Sequence, residues 1–304
     1  MAAPERTRER ALRRRKAARR RGLLAALALV AIVAAIVIAV ATRPRGRNTP
    51  AVVAPHVVKV LIPEGETRAQ IAVLARDDGL TGSYLRASRS SPLLKAPAYG
   101  APAGTRDLEG FLFPATYDMY KGAPVKQLVS EQLEAFHEDV PARALARARS
   151  LGVSAYQLLT VASLIEREAK IPSDRPKIAA VIYNRLRAGM PIGIDASIYY
   201  AVELARHIPT YTGELTEEDL HIESPYNTRT HAGLPPTPIS NPGVASIEAA
   251  ANPAHARYLY YVAGADGCGE QVFSDTQTEF EANVAAYNEA LARNGGKPPR
   301  CRHS

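Results

Sequence analysis

Nineteen consecutive residues, Leu23–Ala41, carry no charged or polar side chain. An apolar run of about 20 residues has the length that crosses a bilayer as one helix. Ten Arg and Lys residues lie before it within 1–21, and only Arg43, Arg45 and Arg47 follow closely. That bias places the N-terminus in the cytoplasm. The expected layout is a basic cytoplasmic tail (1–21), a transmembrane helix (22–42) and a remainder outside the cytoplasm. Ala39-Val40-Ala41 also resembles a signal-peptidase site, so a cleaved signal peptide is the alternative. The run exceeds the roughly 7–15 residues of a signal h-region, which favours the anchor. The tail, with only Glu5 and Glu9 against its cations, accounts for the whole formal net charge of +8. Beyond residue 21 the charges balance, so the chain has no basic face for nucleic acid.

Residues 43–55, rich in Arg, Pro and small residues, read as a linker. Val57–Ile62 has the β-branched content of a strand, and Pro63-Glu64-Gly65-Glu66 turns it. Thr67 can cap a helix through Leu74, and a second short helix fits 83–88. This α+β module, 56–106, is too short to hold a core alone and must pack on the downstream chain. In 108–117 the aromatics Phe111, Phe113 and Tyr117 suit either a buried strand and turn or the wall of a sugar-binding groove. Helical periodicity covers 125–140, with Leu128, Val129, Leu133 and Phe136 on one face, and 176–188, which carries Asn184 and stops at Gly189. Asp195 is a candidate N-cap. A long proline-stiffened loop runs over 224–239. Strands at 258–263 and 271–273 precede a capping box at Ser274 and Gln277. The last helix carries Phe280, Val284, Tyr287 and Leu291 and stops at Gly295, leaving a tail, 295–304. The fold class is therefore α+β, with a mixed α/β domain over 107–294. Cys268 and Cys301 fall in the external part, where a disulfide and two free thiols are both compatible with the sequence. No CxxC, HExxH or clustered histidine pattern occurs, so neither metal nor cofactor is expected.

One helix stands out. Ser154 and Gln157 form a capping box that fixes its start. From Ala155 to Ala169 apolar residues occupy a wide arc, with Tyr156, Thr160, Ser163 and Arg167 opposite. At about 100° per residue, Glu166 falls near 20° and Glu168 near 220°, both inside the apolar arc and facing apart. They cannot share one site. Periodicity does not choose between them, and both can equally pair with basic residues at the helix border.

Several segments together resemble the YceG-like family of endolytic murein transglycosylases. Leu108-Glu109-Gly110-Phe111-Leu112-Phe113-Pro114-Ala115-Thr116-Tyr117 resembles the family's LEGYLFPDTY. Ala162-Ser163-Leu164-Ile165-Glu166-Arg167-Glu168 resembles ASIVEKE. Val181-Ile182-Tyr183-Asn184-Arg185-Leu186 with Gly189-Met190 resembles FxNRLxxGM, and Ile194-Asp195-Ala196-Ser197 resembles TDPT. Ser224-Pro225-Tyr226-Asn227-Thr228 and Gly233-Leu234-Pro235-Pro236-Thr237-Pro238-Ile239 resemble SPYNT and GLPPGPI. The order of these motifs is specific where each alone is weak. Three features depart from the pattern. The LysM-like region before Ile62-Pro63-Glu64-Gly65 is shortened, Gln271 replaces a usual His, and Phe280 replaces another.

The resemblance implies a single-pass inner-membrane lyase whose catalytic acid is Glu166. Its substrate would be the MurNAc-β-1,4-GlcNAc bond of nascent peptidoglycan strands, and its product 1,6-anhydroMurNAc ends. Peptidoglycan synthases are the expected partners. A single acid in this role must begin protonated, which apolar surroundings would favour. Asn184, Tyr226 and Asn227 are candidates to hold sugar amides and hydroxyls, and Glu109 and Asp195 complete the substrate-binding set. Glu168 is expected to pair with a basic neighbour. A second function class also fits the layout: a non-catalytic, membrane-tethered wall-binding scaffold for peptidoglycan synthases.

Overall fold

The computed structural model describes residues 28–41, 56–105, 107–299 and 301, and the chain divides into two units, 1–54 and 55–304. In the first, residues 28–41 form helix α1, exposed along its length. Among the described residues no helix is long and apolar enough to cross a membrane. The expected span 22–42 lies partly outside them, and the basic tail 1–21 and linker 43–55 lie wholly outside.

The second unit opens with β1 (Val57–Leu61), helix α2 (Arg68–Asp77) and helix α3 (Tyr84–Ala87). Thr67 and Gln70 form the capping box that starts α2. Strand β1 pairs antiparallel with β2 (Thr116–Tyr120), from Val57 opposite Tyr120 to Leu61 opposite Thr116. Side chains alternate along both strands, so Val60, Tyr117 and Met119 turn inward. This pairing crosses the boundary expected at 106/107: the segment 56–106 closes its sheet with a strand from beyond it.

Helices α4 (Val125–Asp139), α5 (Ala142–Arg147), α6 (Ala155–Glu168), α7 (Arg175–Arg187), α8 (Asp195–Arg206), α9 (Glu217–Leu220) and α10 (Val244–Ala251) come next. The C-terminal part is β3 (Tyr260–Ala263) paired antiparallel with β4 (Gln271–Ser274), then α11 (Gln277–Arg293). Phe280 stacks on Tyr260, with ring centroids 5.2 Å apart, and holds α11 to the hairpin. Cys268, in the β3–β4 turn, forms a disulfide with Cys301.

The buried centre is α6, which packs on α10, α7 and α8. Every residue from Leu158 to Ile165 is buried, and so is Tyr156. The polar side expected at Tyr156, Thr160 and Ser163 therefore faces protein, not solvent. Their hydroxyls do not all need water: Thr160 donates to Tyr156 O at 3.1 Å and Ser163 to Thr160 O at 2.8 Å. Such back-bonding lets small hydroxyl residues sit inside a helix bundle. Ser163 Oγ also accepts the Ile239 N–H at 3.0 Å, tying the proline-stiffened loop to α6.

The aromatic segment 108–117 is core. Phe111 is fully buried, with ring centroids 5.1 Å from Tyr99, 5.2 Å from Phe136 and 5.9 Å from Tyr156. It does not line a groove. Two cap positions also shift from their expected places. Thr276, not Ser274, caps α11, using Glu279, because Ser274 is held in β4 opposite Tyr260. Ile194 precedes α8, and Asp195 is its first helical residue.

Candidate functional site

Glu166 lies in the last turn of α6. Its Oε2 accepts the backbone N–H of Gly243 at 2.9 Å, and its Oε1 stands 3.8 Å from Arg175 Nη2. Gly243 is the N-cap of α10, and Arg175 opens α7. Because α6, α7 and α10 pack together, three helices fix one carboxylate from three directions. A helix N-terminus presents unpaired N–H groups and a partial positive charge, which suits a carboxylate. Arg175 is itself held by Ser246 of α10, at 3.2 Å.

A fourth element reaches the same point. The turn after β1 places the Glu64 carboxylate against Gly243, in the space a Cβ would take there. Gly65, with a φ of +82°, packs on Glu166: a Cβ on it would lie 3.4 Å from Glu166 Cγ, an ordinary contact distance. Arg167 donates to Gly65 O at 3.1 Å, and Gly65 N–H to Asn241 O at 2.9 Å. The Glu166 side chain is only 7% accessible, whereas Glu64 is exposed. Partial desolvation, then the charge of Glu166, push the Glu64 carboxyl up, and Arg175 pulls it down. The surroundings of Glu166 are thus polar and charged, not the apolar patch expected from the helical wheel.

Glu168 points elsewhere, as the wheel required. It accepts the Tyr261 hydroxyl at 3.2 Å and faces the Ala196 N–H of α8 at 3.5 Å. Burial pushes its carboxyl up to about 7, although both of these contacts pull it down. The expected basic partner is not its own: among the described residues the ion pair belongs to Glu166.

Two other predicted residues share a cavity of about 620 Å³, lined by Arg68, Glu109, Tyr200, Glu203, His207 and Tyr226 among others. Glu109 is buried, taking the Arg68 N–H on both oxygens at 3.1 Å and Asn241 Nδ2 on Oε1 at 2.6 Å. Burial pushes its carboxyl up to about 8 against those contacts. Tyr226 stands edge-on to Tyr200, with centroids 4.9 Å apart, and bonds Thr237 at 2.9 Å. The remaining three are elsewhere and already engaged. Asn184 gives its amide to Ala256 O and Tyr258 O, at 3.0 and 2.8 Å. Asn227 is fully buried and gives its amide to Leu220 O and Ile222 O, both at 3.1 Å. Asp195 is exposed and paired with Arg229 at 2.6 Å. In this structure these polar groups hold loops together.

A model of the YceG-like family matches residues 43–286. The chain belongs to the YceG-like family. This YceG-like chain is 40% identical over 182 residues to a Bacillus subtilis protein named endolytic murein transglycosylase, a match covering 57% of the chain and 46% of that protein. A Streptococcus pneumoniae protein of the same name is 35% identical over 182 residues, covering 59% and 32%. The match therefore spans less than half the length of either relative. The crystal structure of a yceG-like protein from Listeria monocytogenes superposes with a TM-score of 0.63 at 33% identity, covering 74% of this chain and 75% of that one. The mixed α/β fold is shared with it.

Glu64, Arg175, Asn241 and Gly243 were not singled out from the sequence. The Pro63-Glu64-Gly65 segment reads locally as a turn, and nothing in it signals a partner a hundred residues away. Asn241 is the hub of the region. Its side chain accepts Gly110 N–H and Leu112 N–H, at 2.9 and 3.0 Å, and donates to Glu109 and to Glu66 O. It joins the buried 108–113 turn to the 64–66 loop.

Proposed function

We propose that this protein is an endolytic lytic transglycosylase, with Glu166 as its one catalytic acid and base. The reading rests on the family match, which takes in Glu166 and every element that holds it. Protonated Glu166 gives its proton to the glycosidic oxygen as the bond from the MurNAc anomeric carbon breaks. The GlcNAc 4-hydroxyl leaves, and the anomeric carbon gains oxocarbenium character. The muramic C6 hydroxyl then attacks that carbon and returns its proton to the Glu166 carboxylate. The product is a 1,6-anhydro end, no water is consumed, and the acid is regenerated. Only one carboxyl group exchanges protons with the sugar, unlike hydrolysis, where two flank the bond. Gly243 N–H and Arg175 steady the carboxylate formed midway.

Glu168 has an observation in its favour as the acid, because its carboxyl is pushed up to about 7. Glu166 remains our assignment. It stands at the first glutamate of the Ala162–Glu168 block, where the family resemblance puts the acid, and the exposed Glu64 carboxylate lies against the same Gly243 that binds it.

The apolar run and its flanking cations support a single membrane anchor, with the N-terminus in the cytoplasm and the enzyme outside. Nascent strands leaving peptidoglycan synthases would then be the substrate, and those synthases the neighbours. The test is to add the full chain, in detergent, to uncrosslinked glycan strands and to read the new ends by mass spectrometry. Anhydro ends inside the strands support the proposal. Hydrated reducing ends, or binding without cleavage, would overturn it.

A further inference from the structure

We propose that Glu64 and Glu166 act as one carboxyl pair around Gly243, holding a single proton between them, with Glu64 as the positioning residue that keeps Glu166 a proton donor. This pairing rests on the assignment of Glu166 as the acid and deepens it. Gly243 offers two faces: its N–H binds Glu166, and its bare Cα receives Glu64. A side chain at 243 would fill the space that Glu64 occupies beside Glu166.

The charges around the pair are uneven. Arg175 is the cation that faces both carboxylates, ion-paired to Glu166 and acting on Glu64. Arg167, the other cation on the turn, bonds Gly65 O and acts on Glu66 and Glu203. Lys177, two residues along α7, is paired with Asp174 at 2.9 Å. One guanidinium against two carboxylates balances a pair that keeps one proton. Like charges at short range resist joint ionisation, so the second proton leaves at a higher pH than either group would show alone. Glu64 undergoes no bond change: the proton that reaches the glycosidic oxygen comes from Glu166, and the C6 hydroxyl proton returns there.

The test compares pH–rate profiles of the 304-residue chain and its Glu64→Gln variant on glycan strands. The variant removes the second charge and keeps the shape. Its alkaline limb should move to lower pH by about one unit, the size expected for losing a close like charge. Activity well below that limb should be kept within about tenfold, because the proton donor remains. An unchanged limb would overturn the pair. The coupling can also be read without touching Glu64: by carbon-13 NMR its carboxyl should titrate at lower pH in Glu166→Gln than in the wild type. An equal titration there would likewise overturn it. The two assignments fail separately. An active Glu166→Gln removes the catalytic role of Glu166, whereas an inactive one with an unmoved Glu64 removes only the pair.

Discussion

Gly243 donates its backbone N–H to Glu166 Oε2 at 2.9 Å while its Cα face is covered by the Glu64 carboxylate. A glycine is needed there for clearance, not for backbone freedom, since its φ of −77° and ψ of 170° are open to any residue. The obstructing atom is the end of a flexible, exposed side chain. Gly243→Ala should therefore fold, with a loss of about 1 kcal/mol or less from the weaker N-cap. It should push Glu64 away from Glu166 and shift the alkaline limb of activity to lower pH, as Glu64→Gln does. Thermal unfolding and the pH–rate profile read the two effects independently.

Gly110 presents the opposite case. It has a φ of +87°, and a Cβ on it would run into the ring of Pro238. Neither constraint can be relieved by turning a flexible side chain. Gly110→Ala should cost about 3 kcal/mol or more, from left-handed strain plus overpacking. Urea unfolding measures it, and the loss should exceed that of Gly243→Ala several-fold.

Glu109 makes stability depend on pH. Its folded carboxyl titrates at about 8, above the ordinary value of 4.5, so between those pH values the folded state binds the proton more tightly than the unfolded one. Stability then falls as pH rises from about 4.5 to 8, because the unfolded chain ionises freely at this carboxyl while the buried site in the folded state still holds its proton. Denaturant melts across that window should show the decline, with a smaller slope in Glu109→Gln. The residual slope belongs in part to Glu168, titrating at about 7.

Tyr261 donates to Glu168 Oε2 at 3.2 Å and lowers its pKa. Tyr261→Phe should raise the Glu168 titration above its present position near 7, as read by carbon-13 NMR. It should leave the rate of glycan cleavage within a few-fold of wild type if Glu168 is not the acid. A parallel change in the pH–rate profile would argue for Glu168.

Much of this was legible from local chemistry. The capping boxes at Thr67–Gln70 and Ser154–Gln157 mark helix starts because the signal is contained in four residues. The opposed directions of Glu166 and Glu168 come from helical geometry alone, and their partners are indeed different. What could not be read depends on long-range pairing. Ser274–Gln277 is as good a capping box as Thr276–Glu279 until β4 claims Ser274. Asn184 and Asn227 are polar residues in conspicuous motifs, yet both are spent on backbone carbonyls. The surroundings of Glu166 are set by Glu64, Arg175 and Gly243, which come from three separate elements. The wheel showed only its neighbours on α6, so it implied an apolar site where the fold builds a charged one.

The central claim is that Glu166 alone passes the proton. The direct measurement is the rate of 1,6-anhydroMurNAc end formation by the unsubstituted 304-residue chain, Glu166→Gln and Glu168→Gln on the same glycan strands, read by mass spectrometry. Glu166→Gln should lose about 10²–10⁴-fold, the usual worth of a general acid–base group, while Glu168→Gln keeps cleaving. Wild-type rates in Glu166→Gln, or the loss appearing in Glu168→Gln instead, would contradict it.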